Sequence, residues 1–136
     1  MLMFRQGCHY LSLATTELES IKTCSPDMTD IHMRACAVLS RQSLEFLLKH
    51  ICDIYNIDYV YGHDLNSLAL DIQEKTEIPP LKMACDNIMS KWGIWVLWNT
   101  QARYKMSFKT NSEQLSFIIY ICKDLINIIK RYLMNN

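Results

Sequence analysis

The sequence predicts an all-α fold, an antiparallel up-and-down bundle of four to five helices that forms one domain over residues 1–136. Half of the residues are hydrophobic, which supports a packed core. Only 3 glycines and 3 prolines occur, so turns are few and helices can be long. Apolar residues recur three and four positions apart, and no segment alternates in the manner of a strand.

The first two helices are predicted over residues 7–22 and 28–55, with a break at Pro26 between them. Asp27 or Asp30 is expected to cap the second helix, because a carboxylate suits the positive end of a helix. Apolar residues at helical spacing define the inner sides of both helices: Leu11, Ala14, Leu18, Ile21, Ala35, Val38, Leu39, Phe46, Leu47, Ile51 and Ile54.

A loop is predicted next, and Asp64 is expected to cap a third helix that ends near Thr76. Pro79 and Pro80 open a fourth helix, where the missing N–H of proline costs no helical hydrogen bond. This helix is predicted to run to about residue 101–103. Its apolar stripe is Leu81, Ala84, Cys85, Ile88, Trp92, Trp95 and Val96.

The fifth helix has the most regular apolar pattern of the chain. Thr110 and Glu113 match a capping box, in which each side chain binds the other's free backbone N–H. The helix is predicted to reach Leu133, with an inner face made of Leu115, Ile118, Ile119, Cys122, Leu125, Ile126, Ile129 and Leu133.

The formal net charge is zero, but it is unevenly distributed along the chain. Residues 1–77 carry 11 acidic and 6 basic side chains, a net −5, and residues 78–136 carry 3 and 8, a net +5. Such asymmetry fits a face for an anionic partner. It also fits two oppositely charged surfaces that meet in a dimer or face water, which charge alone favours.

The six cysteines are widely spaced and form no Cys-x-x-Cys pair, which favours buried thiols in a reducing, cytoplasmic compartment. No apolar run approaches the roughly 20 residues that span a bilayer, so no membrane is expected. The sequence also shows no Gly-rich phosphate loop and no paired metal-ligand motif. We therefore expect no metal and no cofactor.

Three consecutive residues, Arg103, Tyr104 and Lys105, are the first candidate binding site. A guanidinium beside ammonium groups suits phosphate oxygens, and an aromatic ring can stack on a base. The alternative is that Arg103 caps a helix end or pairs with a carboxylate such as Glu45 or Asp64.

Two further groups of residues are candidates for the same binding site. His63 lies next to Asp64, although the pair better suits a simple helix cap. Gln42, Glu45 and Lys49 follow one another on the second helix, where Glu45 and Lys49 have the spacing of an ordinary ion pair.

In their order and spacing, these groups resemble the HEPN family of small helical domains. The resemblance runs from about residue 10 to residue 133 and rests on three pieces: Gln42, Glu45 and Lys49; then Gly62, His63, Asp64 and Leu65; then Ala102, Arg103 and Tyr104. It implies a helical bundle, often a homodimer, with a groove for nucleotides or RNA. Many members of the family accompany a small nucleotidyltransferase in prokaryotic toxin–antitoxin systems.

The sequence departs from the ribonucleases of that family at one essential residue. These enzymes carry an Arg followed, after four to six residues, by a His that transfers protons. Phe108, Lys109 and Thr110 fill those positions after Arg103, and no His follows His63. Cleavage of RNA by the family's route is therefore not expected.

The sequence thus predicts a noncatalytic, cytoplasmic homodimer that binds a nucleotide or an RNA phosphate near Arg103. The groove is expected to use Arg103, Tyr104, Lys105, His63 and Lys49, with Gln42, Glu45 and Asp64 beside them. One alternative is a dimeric interaction module that partners a nucleotidyltransferase-like protein. Another is a ribonuclease whose active site differs from that of the family.

Overall fold

Every regular element that the structure describes is helical, which confirms the all-α class. The computed structural model describes residues 1–59, 64–91 and 110–134. The helices are α1 Leu2–Ile21, α2 Thr29–Ile54, α3 Leu65–Lys75, α4 Pro79–Met89 and α5 Ser112–Ile128. A short 3₁₀ turn, Pro26–Met28, precedes α2, and a π-helical turn, Ile129–Leu133, follows α5.

The helices α1 and α2 form a long antiparallel hairpin. Near one end the Phe4 ring contacts the His50 ring, with centroids 5.5 Å apart. Tyr10 stacks on Phe46 further along, at 5.6 Å and an interplanar angle of 12°. At the other end His32 Nδ1 lies 2.5 Å from a carboxylate oxygen of Glu17. Residue numbers rise along α1 as they fall along α2, so the two helices run in opposite directions.

The two helix backbones come close together at Gly7. A Cβ at this position would lie 2.7 Å from Leu47 Cδ2, 2.8 Å from Leu47 Cγ and 3.4 Å from the carbonyl oxygen of Ser43. The Ser43 hydroxyl donates a 2.7 Å hydrogen bond to the Gly7 carbonyl oxygen across the same contact. Glycine is required here because any side chain would enter the space that Leu47 fills.

The second half of α2 is the centre of the core, since nearly every side chain from Ser40 to Cys52 is buried. The buried apolar residues of the other helices pack around it. They include Phe4, Leu11, Ala14, Leu65, Leu68, Ile72, Leu81, Ala84, Ile88, Leu115, Ile118, Ile121, Leu125 and Ile129. Burial on every side is why this stretch shows no clean amphipathic pattern.

Thr76 joins α2 to the antiparallel pair α3 and α4. Its hydroxyl lies 2.7 Å from the Tyr55 hydroxyl and accepts a hydrogen bond from the Ile78 backbone N–H. The Gln73 amide donates to the Lys82 carbonyl oxygen and to the Asp86 carboxylate. The buried Thr76 hydroxyl at this connection is therefore paired.

The predicted starts of α3 and α4 are confirmed. Asp64 caps α3 by accepting hydrogen bonds from the Asn66 backbone N–H and the Ser67 hydroxyl, both at 3.0 Å. Pro79 and Pro80 occupy the first turn of α4. Both outcomes follow from local chemistry that depends little on the rest of the fold.

The predicted caps of α2 and α5 are wrong. No side chain caps α2, because the 3₁₀ turn leads directly into it and Thr29 N–H binds the Pro26 carbonyl oxygen. Asn111 caps α5 in place of Thr110, and its side chain accepts from the Gln114 N–H at 2.8 Å.

Two helix boundaries also differ from the prediction. The helix α1 begins at Leu2 instead of Gly7, because Phe4 is buried against α2 and extends the packed face by more than a turn. The helix α4 ends at Met89, where the Ser90 hydroxyl binds the Asn87 carbonyl oxygen. The helix was expected to continue to residues 101–103, but Ser90 and Lys91 form a turn. The rest of the expected continuation lies outside the described residues.

We expect Gly7→Ala to destabilise the protein by about 1–3 kcal/mol, the usual cost of overpacking a core. The gain in helix propensity, about 1 kcal/mol, does not offset the clash with Leu47. Urea unfolding of this variant is compared with that of Ser12→Ala, an exposed control on the same helix. A Leu47→Ala background should tolerate the Gly7→Ala substitution better, and equal costs in both backgrounds would exclude this contact as the cause.

Candidate functional site

Three charged side chains lie buried in a row on one face of α2. Arg41, Glu45 and Lys49 are only 5%, 7% and 9% exposed. Their spacing of four residues places them one above another along the helix. We call these three residues the α2 charge cluster.

Glu45 is the shared partner of the two cations in the cluster. Arg41 Nη1 donates to Glu45 Oε1 at 3.0 Å, and Lys49 Nζ donates to Glu45 Oε2 at 3.0 Å. Each of the three residues has further interactions besides these two. The cluster combines two positive charges with one negative charge, so its formal net charge is +1.

Burial of ions is costly unless they are paired, and even then the pairing rarely stabilises a protein more than apolar residues of the same size. The exposed pairs Lys22–Glu19 and Arg34–Asp30 are of a different kind, because water screens them. Charges that are buried without a clear gain in stability are a common feature of functional sites. We therefore treat the α2 charge cluster as the candidate site.

Tyr59 lies over the lysine of the cluster. Lys49 Nζ is 5.6 Å from the centroid of the Tyr59 ring, a cation–π distance. The Tyr59 hydroxyl donates to Asp53 Oδ1 at 3.2 Å and contacts Met3 Sδ at 3.8 Å. Burial and the nearby Asp53 carboxylate raise the pKa of Tyr59, so it stays a neutral donor.

His50 is the next residue along α2 and lies on the α1 side. It is 8% exposed and packs against the Phe4 ring. Its Nε2 is buried and, within the described residues, has no hydrogen-bond partner. Burial and the positive Met1 amino group lower the pKa of His50, while Asp53 opposes them. The neutral imidazole is therefore the stable form in the fold.

The structure describes four of the eight residues that the sequence analysis assigned to the groove. Glu45 and Lys49 are brought together, as their spacing predicts. Gln42 is half-buried on α2, about 60° around the helix from Glu45. Asp64 is exposed at the start of α3, where its two carboxylate oxygens serve the cap. Arg103, Tyr104, Lys105 and His63 lie outside the described residues.

Two members of the site were missed by the sequence analysis. Arg41 had a signal, because it precedes Glu45 by the same four residues that separate Glu45 from Lys49. Tyr59 had none, since its position over Lys49 depends on the path of the chain after Asn56. Asn56 adopts a positive φ of 55°, which turns the chain at the end of α2.

Other chemistries find little support in the described part of the chain. Burial raises the pKa of Cys36, Cys52, Cys85 and Cys122 to about 12, so these thiols are poor nucleophiles. Cys8 and Cys24 are only partly buried, contrary to expectation.

No group of three metal-ligating side chains occurs in residues 1–59, 64–91 and 110–134. None of the helices described is sufficiently long and apolar to cross a bilayer.

An open cleft of about 470 Å³ lies between the end of α2 and α3. It is lined by Asn56, Ile57, Asp58, Asp71, Glu74 and Lys75. Three carboxylates against one ammonium group repel a phosphate, so this cleft does not suit the anionic ligand that the sequence analysis expects.

Comparison of the chain with protein-family models, with curated proteins and with solved structures finds no match.

The α2 charge cluster predicts an unequal response to mutation. We expect Glu45→Gln to destabilise the protein by about 3–5 kcal/mol, because it leaves two buried cations without their carboxylate. Lys49→Met should cost less, since Arg41 continues to pair with Glu45. Urea unfolding measures both, and Glu19→Gln, at an exposed ion pair, should change stability by under about 0.5 kcal/mol. A cost for Glu45→Gln as small as that of the control would contradict the buried pairing.

The lowered pKa of His50 predicts that the free energy of unfolding decreases in acid. Because its folded-state pKa is lowered, the unfolded chain binds more protons below its ordinary pKa of about 6.5. The free energy of unfolding is therefore not reduced by His50 above that pH, and it decreases as the pH falls below it. We expect His50→Phe to flatten the dependence measured by urea unfolding between about pH 7.5 and 5. His9→Gln, at an exposed histidine, is the control, and the idea fails if both variants keep the wild-type slope.

Proposed function

We propose that this chain is a noncatalytic HEPN-like module that binds the phosphate of a nucleotide or of RNA beside α2. The α2 charge cluster is the observation that carries this proposal. It supplies a lysine and an arginine whose desolvation is already nearly complete in the folded protein. Phosphate oxygens are the natural partners of such groups in proteins.

The rigidity of the cluster supports the same ligand class. Both cations extend from one helix and are fixed by the same carboxylate at 3.0 Å, so little side-chain entropy remains to be lost on binding. Tyr59 adds an aromatic face next to Lys49, a combination that suits a base attached to a phosphate.

Arg103, Tyr104, Lys105 and His63 enter the proposal from the sequence and its family resemblance. In this role Arg103 holds phosphate and Tyr104 stacks or orients the base. Glu45 positions the cations, with Gln42 and Asp64 at the border of the groove. The homodimer, the cytoplasmic location and the toxin–antitoxin association belong to the same proposal.

The histidines of the described residues support a binding role over hydrolysis. His50 is enclosed beside Phe4, and His32 is engaged with Glu17. His9 is exposed on α1 and contacts the Tyr10 ring. A general base must lie within hydrogen-bond reach of the proton that it removes, and each of these three rings is directed to a neighbour outside the cluster.

The test is an NMR titration of the purified protein with AMP, ATP and a short single-stranded RNA. We expect saturable shifts at Lys49, Tyr59 and Arg103. Arg103→Ala should weaken binding about tenfold or more, the effect of losing a charged hydrogen bond. Lys75→Ala, which removes an exposed cation at the acidic cleft, is the matched control.

Tyr59→Leu provides a second test that does not depend on Arg103. It keeps an apolar side chain over Lys49 and removes the ring, so AMP affinity should fall while the fold persists. Shifts that are absent at millimolar ligand would refute the proposal and favour the protein-interaction module. Equal effects of Arg103→Ala and Lys75→Ala would attribute binding to general charge alone.

A further inference from the structure

The outer face of α5 carries a row of cations that the proposed α2 site does not use. Lys123, Lys130 and Arg131 are exposed in the C-terminal half of α5 and in the π-helical turn that follows. Tyr120, 56% exposed, and the exposed Asn127 lie on the same side, since positions 120, 123, 127 and 131 recur with the period of a helix. We call these five residues the α5 basic face.

Few described carboxylates lie near the cations of the α5 basic face. Within the described residues, none of Lys123, Lys130 and Arg131 forms an ion pair. The nearest carboxylate along the helix, Asp124, lies half-buried to one side, and burial raises its pKa. The other, Glu113, precedes Lys123 by roughly 15 Å of helix.

A further exposed cation, Arg5, lies on α1. The Lys130 ammonium is close enough to Cys8 to act against the increase that burial causes in the thiol pKa. Arg5 precedes Cys8 by one helical turn and is exposed, with no ion pair in the described structure.

Aromatic rings accompany the cations. The exposed Tyr120 ring lies one turn before Lys123 on the same side, and the Arg131 guanidinium lies 5.6 Å from the centroid of the Tyr132 ring. A solvated helix face needs neither exposed tyrosines nor an excess of one charge. Cations that follow a backbone, with rings on which bases stack, are the features that bind single-stranded nucleic acid.

The α5 basic face is separate from the α2 charge cluster. The Cys122 thiol bonds to the Ser40 carbonyl oxygen, so the Ser40 side of α2 is the one that meets α5. That side is about 140° around α2 from Glu45. The two features therefore point away from each other and can be tested independently.

We infer that the α5 basic face binds the sugar–phosphate backbone of a single-stranded nucleic acid. Lys123, Lys130 and Arg131 contact phosphates over roughly 12 Å of helix, and Tyr120, one turn before Lys123, stacks on a base. The interaction is independent of sequence and sensitive to salt, because it releases counterions from the strand. It does not require that the α2 site bind a nucleotide.

The test measures fluorescence anisotropy of a labelled oligouridine, about 12 nucleotides long to match the site sizes of single-strand binders, with the full chain over a range of salt concentrations. The triple variant Lys123→Gln, Lys130→Gln, Arg131→Gln should bind about tenfold more weakly at low salt. Its slope of log affinity against log salt should be smaller by about 2, the loss of three phosphate contacts. All three residues are exposed, so the variant should fold, and circular dichroism checks this.

The matched control is Lys22→Gln, Lys75→Gln, Lys82→Gln, which removes the same charge from exposed positions elsewhere. We expect it to change the affinity by less than about twofold. If both triple variants weaken binding equally, net charge alone explains the affinity and the inference is wrong. It is also wrong if wild-type protein fails to bind the oligouridine.

Tyr120→Ala separates nucleic acid from other polyanions. It should weaken oligouridine binding about tenfold and leave the binding of inorganic polyphosphate unchanged, because polyphosphate has no base to stack. Met83→Ala, at an exposed apolar residue of α4, is the control for side-chain truncation. Equal losses for oligouridine and polyphosphate would overturn the stacking role. AMP-induced shifts that persist in the Lys123/Lys130/Arg131 variant would show that AMP binding at the α2 site is independent of the α5 basic face.

Discussion

The shared use of the Glu45 carboxylate by Arg41 and Lys49 is the interaction on which the character of the α2 site depends. Two cations could not remain more than nine-tenths buried on one helix face without a negative charge between them. The hydrogen bonds to Glu45 hold the long side chains of Arg41 and Lys49 along the helix instead of letting them extend into water. Little of this face of α2 is therefore exposed to water.

The hairpin of α1 and α2 is closely packed at Gly7. There α1 approaches the part of α2 that contains Ser43 and Leu47. Gly7 allows the approach, and the Ser43 hydroxyl satisfies a carbonyl group that the contact shields from water. His50 lies on the same side with an unpartnered Nε2 within the described residues. Close packing is thus accompanied by one polar atom that is poorly satisfied.

Features set by a few neighbouring residues could be predicted from the sequence. Asp64 caps α3 and Pro79 opens α4 because these preferences act within one helical turn. The apolar period of α5 is equally local, and all but two of its eight predicted inner residues are buried. Features that depend on distant contacts could not. The start of α1 is set by Phe4 against His50, and the position of Tyr59 is set by Asp53 and Met3.

Prediction from the sequence is limited in the same way at the candidate site. The spacing of Glu45 and Lys49 predicts an ion pair, but spacing alone cannot distinguish an exposed pair from a buried one. That distinction decides the chemistry. An exposed cation such as Lys123 attracts a strand through the ionic atmosphere, and salt weakens it. A buried cation such as Lys49 acts at short range and is screened little. Ionic strength would therefore separate the contribution that we propose for α2 from the one that we propose for α5, even where one RNA molecule reached both.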